Sequence, residues 1–69
     1  MSVARVVEIS STSDKSFEDA VAQGISRASK TLREVRSAWI KEQEVQVKGN
    51  KISAYKVVLK VTFVLEDTM

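Results

Sequence analysis

The chain has 69 residues, which is room for one small domain, and we expect residues 1–69 to form a single domain. It contains no cysteine and no histidine, which excludes disulfides, zinc-type metal ligation and the usual catalytic nucleophile and general base. Eleven lysines and arginines against nine acidic residues leave a net charge of +2, too even a balance to argue for nucleic-acid binding.

The composition also indicates a compartment and a need for partners. The lack of cysteine is typical of a reducing environment, and the segment from Met1 to Ile9 carries Arg5 and Glu8 with no long apolar stretch of a signal peptide. No segment is long enough to span a bilayer, so we expect a cytoplasmic protein with no membrane partner. Below about 70 to 80 residues one core rarely supplies more than a few kcal/mol, so we expect self-association.

The first predicted element is a strand, Val3–Ser10, with β-branched residues on both faces. Residues 11–15 are predicted to form a polar connection, because most of their side chains can hydrogen-bond to the nearby backbone. Ser16 is the predicted N-cap of a helix, and Asp19 stands three residues later as in a variant capping box.

A predicted amphipathic helix of about five turns follows, with Lys30 and Arg33 at its C-terminal end. Gly24 falls on the apolar side of this helix, so we expect a strand to pass close to it. The residues on the apolar side are Phe17, Ala20, Val21, Gly24, Ile25, Ala28 and Leu32.

Two strands joined by a hairpin complete the chain. The period of the apolar residues is two from about Val35 to Lys48, Gly49-Asn50 is a predicted type II′ turn, and Lys51 to Glu66 is predicted as a long return strand. A crossover helix makes the first two strands parallel, and the hairpin makes the third strand antiparallel to both. The apolar third strand is therefore predicted to lie between them. The predicted class is α+β with β-α-β-β order, a three-stranded antiparallel sheet of order 1-3-2 wrapped around one helix.

If the turn sets the register, Lys48 pairs with Lys51 and each face of the hairpin can be listed. The predicted helix-facing side carries Ala38, Ile40, Tyr55, Val57, Leu59, Val61, Phe63 and Leu65. The other side carries Ser37, Trp39, Lys41, Gln43, Val45, Val47, Ile52, Ala54, Lys56, Val58, Lys60, Thr62 and Val64. This second side is too apolar for a solvated sheet face, so other copies of the chain or a ligand must cover it.

Three features of the sequence bear on its chemistry. Glu42 and Glu44 share a strand face and could bind a hard cation or do acid–base chemistry, although solvated carboxylates are the favoured interpretation. Trp39 among lysines could stack nucleic-acid bases, but an interface anchor is favoured, and we expect no nucleic-acid partner. Two glycines are too few for a Gly-rich phosphate loop.

Four segments in this order resemble the dodecins, small flavin-binding proteins of β-α-β-β fold that assemble as hollow dodecamers. The segments are Arg5 to Ile9 with Ser11 to Ser13, Ser16 to Ala20, Ala28 to Arg33, and Tyr55 to Leu65 running into Glu66. The resemblance implies that the second sheet face is buried between subunits and lines the flavin pockets.

The resemblance also implies a ligand site. The family's flavin-stacking tryptophan falls at Ser37 and its flavin-contacting glutamine at Lys56, while Trp39 lies two residues on and on the same side. Glu42 corresponds to an acidic position near the family's ligand. The implied function is a homododecamer that binds and sequesters or stores flavin (FMN or riboflavin) without catalysis. The alternative is a structural or ion-binding assembly that has lost flavin.

Overall fold

A computed structural model describes residues 3–65. The elements follow the order β1 (Ala4–Ser13), α1 (Phe17–Thr31), β2 (Val35–Lys48) and β3 (Lys51–Val64). The strands form one antiparallel sheet in the order β1-β3-β2, which confirms the predicted class and strand order. The predicted end of the last strand, Glu66, lies outside the described residues. Within the described part, no helix is long and apolar enough to cross a membrane.

Strand β1 runs three residues further than predicted, through the serines and threonine assigned to a connection. Its pairing with β3 continues to Ser13, which lies opposite Tyr55 and is only 4% exposed. The backbone of these polar residues therefore finds its hydrogen-bond partners in the long β3 strand rather than in a local turn.

Helix α1 begins as the sequence predicted and ends sooner. Ser16 is the N-cap, and its Oγ accepts a hydrogen bond from the Asp19 N–H at 2.9 Å. The Asp19 carboxylate does not close a capping box; it accepts hydrogen bonds from Ser13 Oγ and Gln23 Nε2, each at 2.6 Å. The helix has 15 residues, about four turns rather than five. It stops because Leu32 is extended and caps it with an N–H bond to the carbonyl oxygen of Ala28.

The core lies between α1 and the central strand, with Ala20, Val57, Leu59 and Val61 buried. Gly24 makes the closest approach of helix and sheet. A Cβ atom at this position would lie 3.0 Å from Leu59 Cδ1 and 3.2 Å from Ser11 Cβ. The expectation that a strand passes Gly24 is confirmed, and two strands meet it.

The hairpin turn differs in type from the prediction. Gly49 has φ 59° and Asn50 has φ 65°, so both central residues are left-handed and the turn is type I′ rather than type II′. The reason is that asparagine tolerates this conformation, and the twist of a type I′ turn matches that of the strands. Lys48 pairs with Lys51 as expected.

The register set by this turn holds next to the turn and again over residues 37–40, and three irregularities interrupt it, the last of them at Arg36, which is unpaired between Val35 and Ser37. Lys41 in β2 is unpaired between Ile40 and Glu42, and Ser53 is the corresponding extra residue in β3. Between these two bulges every pair is shifted by one residue, because one extra residue moves the following side chains to the opposite face. Gln43 and Val45 therefore lie on the helix side, and their predicted place on the opposite side is wrong.

Strand β2 lies largely beyond the helix. Only Val35 of this strand is partly buried, and Ala38 and Ile40, expected to pack against α1, are exposed. Leu65, also expected on that side, follows the end of β3 and is exposed. One helix about 10 Å wide cannot cover three strands spaced nearly 5 Å apart over their whole length. The described chain is correspondingly elongated, 55 × 19 × 13 Å.

Candidate functional site

The side of the sheet that faces away from α1, called here the outer face, carries the residues expected to bind a ligand. Paired residues of neighbouring strands point to the same side of a sheet, so the register sets three-residue rows across it. The rows are Val6, Thr62 and Ser37; Glu8, Lys60 and Trp39; Ser10, Val58 and Glu42; and Thr12, Lys56 and Glu44. All four residues predicted to contact a ligand therefore lie on one surface.

Trp39 is the flat aromatic group of the outer face, and its side chain is 69% exposed. Its partner in β3 is Lys60, whose Nζ lies 5.7 Å from the centroid of the indole ring. This separation is within the range of a cation–π contact. The row thus combines a largely exposed ring with a positive charge that lies over one of its faces.

The third residue of this row, Glu8, is engaged by a different lysine. Lys41, the extra residue of the β2 bulge, has its Nζ 3.4 Å from both carboxylate oxygens of Glu8. Among residues 3–65 the other ion pair is Glu34 with Arg36, at 3.3 Å, so no carboxylate of the described chain lies within 4.0 Å of the Lys60 ammonium. The ammonium faces the indole instead.

Ser37 and Lys56 lie far apart within one chain. Their rows are separated by six residues of β3, which is about 20 Å at the rise of a strand. A single small ligand therefore cannot touch both side chains of one chain, whereas Trp39 and Glu42 occupy neighbouring rows. Any site that uses Ser37 and Lys56 together has to be built between chains.

The bulge at Lys41 changes which acidic residues reach this surface. The uninterrupted turn register would have put Glu42 and Glu44 on the helix side, away from Trp39; the shift brings both to the outer face. Glu44, rather than Glu42, lies directly opposite Lys56. Sequence reasoning considered Glu44 only as a possible cation ligand and gave Lys60 no role in a flavin site, although the pairing of Lys60 with Trp39 follows from the turn register.

The outer face combines an aromatic ring with polar and charged groups. The exposed indole of Trp39 offers a stacking surface, and hydroxyl, carboxylate and ammonium groups surround it on the same side. Ser37, at which the resemblance implies the stacking residue, carries no aromatic ring. For a metal ion the fit is poorer, because no three Asp or Glu side chains of residues 3–65 cluster closely enough to ligate one.

A second concave surface lies on the helix side, between α1 and the outer edge of β1. It is an open groove of about 630 Å³ whose lining includes the apolar Val7, Ile9 and Leu32 and the polar Gln23 and Arg27. None of the four residues predicted to contact a ligand lines this groove.

Comparison with known proteins gives one consistent result. The dodecin family model matches residues 3–66. The chain is 36% identical over 66 residues to the dodecin of Thermus thermophilus, covering 96% of each protein. It is 35% identical over 63 residues to the calcium dodecin of Mycobacterium tuberculosis, covering 91% of this chain and 89% of that protein.

Solved structures agree with the sequence matches. The dodecin of Streptomyces davaonensis superposes with a TM-score of 0.91 at 32% identity, covering 96% of this chain and 97% of that one. The calcium dodecin of Mycobacterium tuberculosis, described as having a novel calcium-binding site, superposes with a TM-score of 0.82 at 31% identity, covering 99% and 97%.

Proposed function

The chain belongs to the dodecin family, and from that premise we propose that it forms a hollow homododecamer that binds flavin, as FMN or riboflavin, and sequesters or stores it without catalysis. One observation carries this function: Trp39 is an exposed aromatic platform on a sheet face that the chain itself does not cover. Assembly of copies and binding of a planar ligand both bury such a face.

Assembly is supported by the exposure of β2. Every residue from Arg36 to Lys48 is exposed, including Trp39 and also Val47, which is 64% exposed. Large apolar side chains gathered on one strand mark a surface that is buried in an assembly. A closed homo-oligomer covers this strand with identical neighbours, and it supplies the stabilisation that a 69-residue core lacks.

Flavin binding is supported by the chemistry of the outer face. Bound flavin contributes a planar ring system with polar atoms at its edge. In the proposed pocket Trp39 stacks on that plane, while Ser37, Glu42 and Lys56 supply hydrogen-bonding groups. Because Ser37 and Lys56 of one chain are about 20 Å apart, the pocket draws them from different subunits.

The absence of catalysis is supported by the residue types of the chain. It has no histidine to act as general base near neutral pH and no cysteine to act as nucleophile. The lack of cysteine also supports the proposed cytoplasmic location.

The first test is native mass spectrometry of the purified protein together with titration of riboflavin and FMN followed by flavin fluorescence. We expect a twelve-subunit species that retains flavin, and quenching of the fluorescence of added flavin. A colourless protein that quenches neither flavin at micromolar concentration would contradict flavin binding.

The second test changes the stacking position itself. Ser37→Trp combined with Lys56→Gln is expected to raise riboflavin affinity at least about tenfold, because it restores an aromatic face and removes a charge. Lys51→Gln, at the hairpin turn, is the matched control for loss of a lysine on the same strand. Tight binding by the unmodified protein that the double substitution leaves unchanged would locate the pocket elsewhere.

Ion binding is the second candidate function. It is supported by the similarity to the calcium dodecin and by the position of Glu42 and Glu44, which the bulge brings together onto the exposed outer face. One chain gathers too few carboxylates among residues 3–65, so such a site would take ligands from several subunits. Calorimetric titration of the unmodified protein with calcium tests this function. If Glu42 and Glu44 hold the ion, Glu42→Gln combined with Glu44→Gln should remove calcium binding.

A further inference from the structure

We propose that the charges of Glu42 and Glu44 select between two registers of the β2–β3 hairpin, and so determine which side chains of β2 the outer face presents. In the observed register the outer face presents these two carboxylates. In the second register it presents Gln43 and Val45 instead. The register does not depend on a ligand, whereas its consequence for flavin or ion binding rests on the proposed function.

The two bulges in the middle of the hairpin compensate each other. On either side of them the ladder keeps the register set by the turn. Between those two parts β2 contributes residues 41–46 and β3 contributes residues 53–58, which are segments of equal length. A regular ladder without bulges is therefore available to this sequence. The observed ladder leaves one residue of each segment unpaired, Lys41 and Ser53, so a change of register moves neither end of the hairpin.

The regular ladder would place both carboxylates beside the core. Glu42 would lie opposite the fully buried Val57, and Glu44 opposite Tyr55, whose ring packs edge-on against an aromatic ring of α1. A charge beside buried apolar side chains loses hydration without gaining a partner. In the observed ladder Glu44 lies opposite Lys56, and facing opposite charges stabilise a sheet. The charges of the two glutamates therefore favour the bulged register.

Side-chain contacts accompany each bulge in the observed ladder. At the β2 bulge, Lys41 Nζ lies 3.4 Å from Glu8 Oε2 on β1. At the β3 bulge, Ser53 Oγ donates a hydrogen bond of 3.2 Å to the carbonyl oxygen of Gln46. A bulge disrupts the backbone ladder locally, and these contacts offset part of that loss. The bulged register is therefore held by polar contacts on an exposed surface, while an apolar pattern that would fix one register is missing from the segment.

Pairs of introduced cysteines distinguish the two registers, because the chain has no cysteine of its own. Gln46 and Ala54 face each other in the observed ladder, whereas Val45 would face Ala54 in the regular one. A disulfide requires side chains that point toward each other, so only the facing pair closes easily. Under mild oxidation, Gln46→Cys with Ala54→Cys should form an intrachain disulfide at least about tenfold faster than Val45→Cys with Ala54→Cys. Mass spectrometry of the denatured subunit measures the disulfide.

The same two cysteine pairs then test the role of charge. Glu42→Val combined with Glu44→Val should reverse the preference, so that the pair at 45 and 54 closes faster, because two valines suit the core side of the regular ladder. Glu42→Asp combined with Glu44→Asp is the matched control; it keeps both charges and should keep the preference for the pair at 46 and 54.

Two results would overturn the inference. The first is faster closure of the pair at 45 and 54 with both glutamates in place, which would contradict the observed register. The second is a preference for the pair at 46 and 54 that survives the change of both glutamates to valine, which would contradict selection by charge. Failure of the protein to bind flavin or calcium, with the expected cross-linking, would overturn the proposed function and leave the two registers standing.

Discussion

The Asp19 carboxylate connects the end of β1 to the start of α1. Hydrogen bonds from the Ser13 hydroxyl and the Gln23 amide, helped by nearby Lys15, lower the pKa of Asp19 below its ordinary value of 3.8. A carboxyl group whose pKa is lower in the folded than in the unfolded state stabilises the fold fully above its unfolded pKa. That stabilisation is lost as pH falls through the folded pKa.

We therefore expect Asp19→Asn to lower the free energy of unfolding at pH 6 and to cost progressively less below about pH 4. Urea denaturation of both proteins at fixed protein concentration, at pH 6 and at pH 3, measures the difference. Asp14→Asn is the matched control, because Asp14 is exposed and accepts no comparable side-chain hydrogen bond in the described chain. An Asp19→Asn penalty that is the same at both pH values would contradict the assigned hydrogen bonds.

At the same scale, the sequence located Trp39, Ser37 and Lys56 on one face because the turn register holds at Ser37 and Trp39 and the alternation along β3 is unbroken from Lys56 to Thr62. The sequence did not predict the face of the sheet on which Glu42 lies, because that face depends on the bulge at Lys41. The stretch that follows Ile40 is polar in both alternation phases, so no apolar pattern marks the change of phase there.

Gly24 is the point at which α1 meets two strands of the sheet. Alanine there would gain up to about 1 kcal/mol of helix propensity. Its Cβ would press on the fully buried Leu59 and on Ser11, and overpacking of this kind costs about 1 to 3 kcal/mol. We expect Gly24→Ala to lower the melting temperature at fixed protein concentration.

Ser26→Ala is the control for this change, because it raises helix propensity at an exposed position of the same helix. It should leave the melting temperature unchanged or slightly higher. A Gly24→Ala protein more stable than the unmodified one would mean that the helix can move away from the sheet without loss.

The elements themselves were largely predictable. The bounds of β2, the start of α1 and the strand order follow from apolar periodicity, the Ser16 cap and the Gly49-Asn50 turn. The turn type was not predictable, since Gly-Asn suits both primed turns. The extension of β1 through Ser13 was missed because its hydrogen-bond partners lie in β3, far along the sequence.

At the scale of the whole molecule, the exposed β2 strand predicts an assembly without a stable folded monomer. We expect light scattering coupled to size-exclusion chromatography to give the mass of twelve subunits at micromolar concentration. The reason is that one helix leaves β2 and the outer face uncovered. A monomer or dimer under these conditions would contradict the proposed shell.

The fluorescence emission of Trp39 provides a second measurement of this assembly. Its indole is exposed in a single chain, so burial against a neighbouring subunit should shift its emission to the blue. Trp39→Ala is expected to weaken assembly by a few kcal/mol, measured as a lower denaturant concentration for subunit dissociation. Trp39→Phe, which keeps an aromatic ring, should weaken it less; an unshifted emission spectrum in the assembled protein would contradict the burial.

The separation of β1 from its partner along the chain has a consequence for folding kinetics. Strands β2 and β3 are joined by two residues and can zip together in microseconds, whereas β1 pairs with β3 only after the helix and the whole of β2 have been bridged. During synthesis β1 emerges before its partner exists. Strand β1 is therefore the first to be synthesised and the last to pair. Neighbouring chains can associate through their completed hairpins before β1 has paired with β3.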